Sequence, residues 1–389
     1  AIQWRNAETG ELVKTVKGVK KLGAVAAVDE EPGGKIHFIA GNSLYSATAD
    51  SPKPIRNLSK LAEPGAMDID PESGDIFIVS GGRKVLRYSR LFGLVRSYGG
   101  APRPDGPFNP QLMLGIRDVA ADGDGGFWAA ELSAPRRVIH VDGVSGKVDQ
   151  QYFNSKTFWS VTEVDPDDPE QVWLTTSYSA ILGFRVDYDK ARWRCEYVYN
   201  WGQLFPGFIR RDLAPFHQWV PVRRNGHLFF MLNTFPVVLR VDEATQTVKP
   251  ASICWKMNRK SLAAIQAAVT EKRDSGVPKS YLLALEKAGY EDFSKAPLAF
   301  AWNDMNGNGE MDVEEYTFFP DMDAMAEATS GGRGDFDADF NYRTFNGLGG
   351  PPQAYMRFNR SGWCGPDNAM PAYSWNMFEP GPPLPPEIA

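Results

Sequence analysis

Short runs in which apolar and polar residues alternate fill the first two-thirds of the chain, and turn-forming residues separate them. Two neighbouring stretches, 65–100 and 115–154, repeat the same order of four such runs with Asp, Gly and Pro between them. Alternation with a period of two is typical of half-buried β-strands, and these turn residues are typical of hairpins. Weaker copies of this order cover 23–59, 157–200 and 213–252. We therefore expect five consecutive units of four strands each.

Four short strands repeating every 40–50 residues predict the blades of a β-propeller. The chain starts within a unit, because 2–6 and 8–16 have the pattern of the last two strands of a blade. Strands from the C-terminal part, such as 353–358, are their expected partners, and such pairing would remove exposed sheet edges. The sequence thus predicts an all-β propeller of six or seven blades, seven being preferred, over residues 1–360, with a Pro-rich tail at 361–389.

One segment, 258–293, breaks the strand pattern. Its apolar residues Leu262, Ile265 and Val269 are spaced as on one face of a helix, and a second helix is expected at 280–288. This helical hairpin is either a lid or partner surface, or an insertion that packs through its own apolar stripe. We prefer the second interpretation.

The stretch 304–315 fits the calcium-loop pattern D-x-[DN]-x-[DN]-G-x₅-E, with Gly309 at the sharp turn. Calcium takes six to eight hard oxygen ligands, which such a loop wraps around one point. The residues before and after it, 297–302 and 316–320, have strand patterns, so we expect a loop between two strands of a blade. The alternative is a metal-free turn rich in Asn and Asp. The expected calcium ligands are the side chains of Asp304, Asn306, Asn308, Asp312 and Glu315, and the backbone carbonyl of Glu310.

Charge and composition exclude several classes of function. The formal net charge is -6 and no stripe of Lys and Arg is present, so we expect no nucleic-acid partner. No apolar run approaches the length of a membrane span. The three cysteines, Cys195, Cys254 and Cys364, form no C-x-x-C motif. No leader sequence stands at Ala1, so we expect either a cytoplasmic protein or the mature form of an exported one.

The repeats at 65–154 resemble NHL-type propeller repeats. The runs 106–110, 127–131 and 135–138, together with Phe300-Ala-Trp-Asn-Asp-Met-Asn-Gly-Asn-Gly, resemble a group of exported bacterial NHL-type proteins that carry an EF-hand-like calcium loop inside the propeller. This resemblance implies a propeller fold, bound calcium and an extracellular or periplasmic location, but no particular reaction. The helical insertion is a departure from the group.

Two functions remain open at this point. The first is a binding module for a carbohydrate or a protein, acting through a rim rich in Trp, Tyr and Arg, and forming part of a larger protein or complex. The second is a hydrolase or lyase that acts on a sugar or lactone in the central channel, with Arg117, Asp118 and His217 as candidate catalytic residues. The chain has no G-x-S-x-G elbow and only four histidines, so neither an α/β-hydrolase nor a three-histidine zinc site is expected. Binding is the preferred interpretation.

Overall fold

The structure is a computed structural model, and it describes residues 2–101, 105–153, 161–176, 180–205, 218–233, 235–328, 334–337, 339–345 and 355–380. The chain forms two compact units, one of residues 1–104 with 109–155, the other of residues 105–108 with 156–389. Both consist mainly of antiparallel sheets.

The described residues of the first unit form three four-stranded sheets and one hairpin, in the orders β3-β4-β5-β6, β7-β8-β9-β10, β12-β13-β14-β15 and β1-β2. Strand β11 belongs to the second unit. The strands up to residue 155 are β1 (Gln3–Arg5), β2 (Leu12–Thr15), β3 (Val25–Glu31), β4 (Lys35–Ala40), β5 (Ser43–Ala47), β6 (Ile55–Ser59), β7 (Pro64–Ile69), β8 (Ile76–Ser80), β9 (Lys84–Tyr88), β10 (Leu94–Gly99), β11 (Gly106–Pro107), β12 (Ile116–Ala121), β13 (Phe127–Glu131), β14 (Arg137–Val141) and β15 (Val148–Phe153).

The second unit continues this pattern of consecutive sheets. Its sheet orders are β16-β17-β18-β19-β11, β20-β21-β22-β23-β24-β25, β26-β27-β28-β31 and β29-β30. The strands are β16 (Val161–Asp165), β17 (Asp168–Thr176), β18 (Ala180–Asp187), β19 (Arg192–Tyr199), β20 (Trp219–Arg224), β21 (His227–Leu232), β22 (Val237–Asp242), β23 (Thr247–Lys256), β24 (Ala299–Asn303), β25 (Tyr316–Phe318), β26 (Gly334–Phe336), β27 (Tyr342–Phe345), β28 (Tyr355–Phe358), β29 (Gly362–Cys364), β30 (Met370–Ala372) and β31 (Phe378–Pro380).

The predicted all-β class is confirmed, and each of the five predicted units contains four antiparallel strands that follow one another in sequence. This is the connectivity of propeller blades. Two of the sheets are larger than the predicted four strands, because β11 adds to the fourth sheet and β24 and β25 extend the fifth. Alternation of buried and less buried residues places the cores: in β13, Phe127, Ala129 and Glu131 are buried, while Trp128 and Ala130 are half-buried. The number of blades stays a prediction.

The C-terminal strands differ from the sequence prediction. The expected partner of the N-terminal hairpin, the strand ending at Phe358, pairs instead with β27 and β31. Residues 361–380, expected in an extended tail, contain β29 to β31. These residues fold onto the core because they carry large apolar side chains. Trp375 is fully buried, and its Nε1 also donates a hydrogen bond to the carbonyl of Trp255 (3.0 Å). Residues 381–389 of the predicted tail lie outside the described residues.

The predicted helical hairpin at 258–293 is present. Its helices are α1 (Arg259–Thr270) and α2 (Lys279–Lys287), and a short helix α3 (Asp323–Ala328) follows later. The side chain of Asn258 caps α1 by accepting from Ser261 N (2.8 Å). Leu262 and Ile265 of α1 and Tyr281 of α2 are buried in the core, so the hairpin packs through its apolar stripe. None of the helices in the described part of the chain has the length and apolar character needed to cross a membrane.

Candidate metal and ligand sites

The loop 304–315 joins two paired strands, as the sequence predicts. Strands β24 and β25 are antiparallel neighbours, with Phe300 opposite Phe318. Gly307 and Gly309 have left-handed backbone conformations (φ 78° and 75°), which residues with a side chain rarely adopt. A Cβ on Gly309 would also lie 2.8 Å from the Cβ of Lys249. The two glycines thus let the loop turn tightly against β23.

Asp304, at the first position of the loop, is fully buried. Its Oδ1 accepts from Gly307 N (2.8 Å) and its Oδ2 accepts from Gly309 N (3.0 Å). Burial raises the pKa of Asp304, because the charged form loses its hydration, and these backbone bonds oppose that rise. The carboxylate is therefore held in place at an electrostatic cost.

Glu315, at the last position of the loop, is also buried. Its Oε1 accepts from Met305 N (2.8 Å) and Asn306 N (3.2 Å), whereas its buried Oε2 has no hydrogen-bond partner in the part of the chain that the structure describes. Burial raises the pKa of Glu315, and the nearby charge of Asp304 adds to that rise. A buried carboxylate oxygen without a partner is what a cation would satisfy.

The remaining predicted ligands lie nearer the surface. Amide groups of Asn306 and Asn308 donate to Oδ2 of Asp312 (2.8 and 3.0 Å), and the carbonyl of Glu310 accepts from Asp312 N (3.0 Å). No three His, Cys, Asp or Glu side chains among the described residues are grouped closely enough to hold a metal ion. The donor set is nevertheless made of carboxylate, amide and carbonyl oxygens, the ligands that calcium prefers. The residues therefore fit calcium, and its binding stays a prediction.

The three candidate catalytic residues fall in different situations. Arg117 is exposed and lines a cleft of about 420 Å³ in the first unit, together with Glu63 and Arg83. Asp118 is exposed and its Oδ1 accepts from Val119 N (3.0 Å). His217 lies outside the described residues. Their catalytic role stays a prediction.

A second cleft, of about 140 Å³, lies between the sheet of β16 to β19 and the sheet of β20 to β25. We call it the aromatic cleft. Trp173 and Tyr199 are stacked with ring centroids 5.9 Å apart, and Tyr197 stacks on Tyr199 at 5.8 Å. Trp173 and Tyr199 are buried and Tyr197 is half-buried. With Leu228 and Val241, these rings supply the apolar lining of the cleft. Its polar lining residues are Asp168, Gln171, Arg185, Arg223, Glu243 and Gln246.

Gly183 explains how the rings come to lie side by side. It is paired in register with Trp173 on one neighbouring strand and with Tyr197 on the other. A Cβ at this position would lie 2.6 Å from Cζ3 of Trp173 and 3.0 Å from Cδ2 of Tyr197. The missing side chain therefore leaves the space that the rings occupy.

A buried carboxylate fixes one end of the aromatic cleft. Asp165, whose side chain is not exposed, accepts from Nε1 of Trp173 (3.0 Å) and from Nε and Nη2 of Arg223 (2.6 and 3.0 Å). These bonds orient the indole and leave Nη1 of Arg223 without a hydrogen bond to any described residue. The hydrogen bond to Asp165 raises the pKa of Arg223, so this arginine stays charged.

The acidic residues at the mouth of the aromatic cleft are paired. Asp168 accepts from Nη1 of Arg185 (2.7 Å), and this bond lowers the pKa of Asp168. Glu243 lies 3.0 Å from Nδ1 of His227. Sequence reasoning missed this site because its residues come from strands far apart in the chain. The one available signal was the alternation that puts Tyr197 and Tyr199 on the same face of a strand.

No protein-family model and no curated protein sequence matches this chain. Among solved structures, it is similar to the hydrazine synthase of Kuenenia stuttgartiensis, with 13% identity and a TM-score of 0.31 over 62% of this chain and 71% of that chain.

Two further similar structures come from Bacteroides. A protein of unknown function from Bacteroides caccae has 15% identity and a TM-score of 0.28 over 63% of this chain and 87% of that chain. An auxiliary nutrient binding protein from Bacteroides thetaiotaomicron has 10% identity and a TM-score of 0.27 over 59% of this chain and 57% of that chain.

Proposed function

We propose that this protein is a carbohydrate-binding module of the β-propeller type that works outside the cytoplasm. The observation that carries the proposal is the aromatic cleft, where the half-buried ring of Tyr197, backed by the buried rings of Trp173 and Tyr199, meets polar side chains of both charges. Ring faces pack against the C–H faces of a sugar, while carboxylate, amide and guanidinium groups bond its hydroxyls. The cleft has room for a group of about the size of one sugar ring.

We propose calcium at the loop 304–315 as a structural ion. The partnerless Oε2 of Glu315 and the buried carboxylate of Asp304 support this assignment. The resemblance of the loop and the repeats to exported bacterial NHL-type proteins also supports this assignment. The same resemblance supports the proposed location outside the cytoplasm. With this ion the protein would need no other cofactor to bind a sugar.

Binding fits the aromatic cleft better than hydrolysis does. Glycoside hydrolases use a pair of carboxyl groups, one of which is protonated near neutral pH because its pKa is raised. Asp168 has the opposite shift, since Arg185 lowers its pKa. It is therefore suited to accepting hydrogen bonds from sugar hydroxyls, and unsuited to donating a proton to a leaving group.

A glycan array followed by calorimetry with the best oligosaccharide tests the proposal. We expect Tyr197→Ala, which removes a ring of the aromatic cleft, and Gly183→Ala, which displaces Trp173, each to weaken binding about tenfold or more. Tyr152→Ala is the matched control, because Tyr152 is 60% exposed and lies in the other unit. Equal losses in all three variants, or an array without any bound glycan, would refute carbohydrate binding at this cleft.

Mass spectrometry of the released glycan separates binding from catalysis. An unchanged mass is expected. A cleaved or unsaturated product would instead establish the hydrolase or lyase, and variants of Arg117, Asp118 and His217 would then show whether the sequence-predicted residues catalyse it. A bound protein in place of a glycan would establish the other kind of binding module.

A further inference from the structure

Trp363, on β29, lies between two guanidinium groups. The Cζ of Arg224 is 3.4 Å from the centroid of its ring, and the Cζ of Arg360 is 3.9 Å from it. Two guanidinium groups at these distances over one face would overlap. They therefore lie on opposite faces of the indole, and their charges are separated by the thickness of the ring.

Hydrogen bonds and ring packing fix the positions of Arg360 and Trp363 without neutralising the charge of the arginine. The hydrogen bonds of Arg360 are to neutral oxygens. Its Nε donates to the backbone carbonyl of Asp339 (3.0 Å), and its backbone N donates to Oδ1 of Asn341 (3.0 Å). The ring of Trp363 meets the buried ring of Phe340 edge to face, with centroids 5.6 Å apart. The indole and one cation are thus positioned before any ligand arrives.

The two charges lack acidic partners in the described part of the chain. Neither Arg224 nor Arg360 forms an ion pair there, although Arg223, which precedes Arg224 in the chain, does. A single arginine on the ring would supply the cation–π attraction. The second arginine adds repulsion between two positive charges at a half-buried position. The net charge of the whole protein is -6, so this is a local concentration of positive charge. An anion at the edge of the indole, within reach of both guanidinium groups, would offset that repulsion.

We infer that Arg224, Trp363 and Arg360 form a site for an oxyanion, a sulfate or carboxylate group carried by an acidic oligosaccharide. The guanidinium of Arg224 and the terminal nitrogens of Arg360 have no hydrogen bonds to described residues, so both cations keep donors for the anion. The indole N–H of Trp363 likewise has no hydrogen-bond partner among the described residues. It is a third donor between the two.

The position of the site connects it to the aromatic cleft, so this inference rests on the proposed function. Arg223 lines the aromatic cleft, and Arg224 is the next residue of the same strand, so the two side chains leave the sheet on opposite sides. Strand β20 is at the edge of its sheet. An oligosaccharide that crosses this edge can place a sugar ring in the aromatic cleft and its acidic group at Trp363.

Calorimetry with a heparin-derived tetrasaccharide and its desulfated, N-acetylated and carboxyl-reduced counterpart, which carries no acidic group, tests the inference. We expect the sulfated form to bind the native protein more tightly. Arg224→Gln and Arg360→Gln should each weaken that binding about tenfold and reduce its dependence on salt, while binding of the desulfated form stays unchanged. Arg273→Gln is the control, because Arg273 is an exposed arginine on the helical insertion. A melting curve confirms that each variant is folded, and Trp363→Phe keeps the packing while removing the N–H.

The outcomes separate the two proposals. Equal affinity for both tetrasaccharides, or an equal loss in Arg273→Gln, overturns the oxyanion site and leaves the aromatic cleft standing. If neither tetrasaccharide binds, sodium sulfate alone decides: a rise in melting temperature that Arg224→Gln abolishes supports an oxyanion site without carbohydrate binding. An equal rise in the native protein and in Arg224→Gln, as the general stabilising effect of sulfate would produce, overturns the site, and so does the absence of any rise.

Discussion

Arg137 and Glu131 form an ion pair from which water is excluded, with Nε 2.6 Å from Oε2 and neither side chain exposed. The remaining polar atoms are also used. Nη1 of Arg137 donates to the carbonyl of Pro110 (2.8 Å), Nη2 donates to that of Leu112 (2.6 Å), and Leu114 N donates to Oε1 of Glu131 (2.7 Å). The pair therefore fastens the connection at 110–114 to the third sheet.

Removing one partner of this pair should be strongly destabilising. We expect Arg137→Met to lower the free energy of unfolding by about 3–5 kcal/mol, because it leaves the carboxylate of Glu131 buried without its cation. Urea unfolding followed by tryptophan fluorescence measures this. The double variant Glu131→Gln/Arg137→Met should lose less than the sum of the two single variants, since the uncompensated charge is gone.

An exposed pair provides the control. Arg194 and Glu196 are also 2.6 Å apart, but the side chain of Arg194 is 74% exposed. Arg194→Met should therefore change the free energy of unfolding by at most about 1 kcal/mol. Similar losses in Arg137→Met and Arg194→Met would show that burial does not set the strength of these pairs.

The sequence predicts the repeated sheets well because the strands of each sheet are close together in the chain, so their pairing depends on local patterns. Alternating apolar positions and turn residues mark each hairpin, and the order of the strands follows from short connections. The loop at 304–315 is predictable for the same reason, since its spacing and flanking strands are local. Residues 127–131 and 135–138, which carry part of the family resemblance, contain the ion pair of Glu131 and Arg137.

Contacts between distant segments are what the sequence does not reveal. The aromatic cleft needs the register that places Gly183 between Trp173 and Tyr197, and no local pattern fixes that register. The oxyanion site brings Arg224 beside Trp363, well over a hundred residues later. The sequence prediction misplaces the C-terminal strands for a related reason. The apolar residues around Trp375 can be assigned to a core only when the segments that pack against them are known.

Neutralising one buried carboxylate of the loop should have opposite effects with and without calcium. Burial raises the pKa of Glu315, so in metal-free protein its contribution is favourable below its unfolded pKa and is lost as the pH rises through the folded pKa. At neutral pH in chelator, Glu315→Gln should therefore melt at or above the native temperature. Calcium should raise the melting temperature of the native protein by mass action and leave Glu315→Gln unchanged.

The neighbouring Glu314 is a matched control for this experiment. Its side chain is 72% exposed and lies 3.2 Å from Nζ of Lys287. Glu314→Gln should keep the full response to calcium. If the native protein melts at the same temperature in chelator and in calcium, calcium is not a structural ion of this loop.

Adding a methyl group at the tight turn of the loop should destabilise the protein by two mechanisms. Gly309→Ala forces alanine into the left-handed region, at a cost of about 1–2 kcal/mol, and brings its Cβ to 2.8 Å from the Cβ of Lys249. That atom is next to the backbone and cannot swing away, which adds about 1–3 kcal/mol. Gly289→Ala should show the first cost alone, because Gly289 has φ 90° with nothing within 4 Å of its Cβ position. Urea unfolding of both variants measures the difference, and equal losses would contradict the contact with Lys249.

His140 should make stability depend on pH with a defined sign. Its Nδ1 is 2.7 Å from Oδ1 of Asp149 and its Nε2 is 2.9 Å from Oδ2 of Asp122. Burial acts to lower the pKa of His140, but the hydrogen bonds to these two carboxylates outweigh it and the pKa is raised. The imidazolium therefore stabilises the fold below its unfolded pKa of about 6.5, and this contribution disappears as the pH rises through the folded pKa.

We accordingly expect His140→Gln to cost more stability at about pH 5.5 than at about pH 8.5, as measured by urea unfolding at both values. His37 gives the opposite sign and serves as the comparison. It is buried, and burial lowers its pKa, so the native fold is destabilised when this group must take up a proton at low pH. His37→Gln should therefore lose less stability at the lower pH than at the higher one. A His140→Gln variant with the same loss at both pH values would show that the two carboxylates do not hold a charged imidazole.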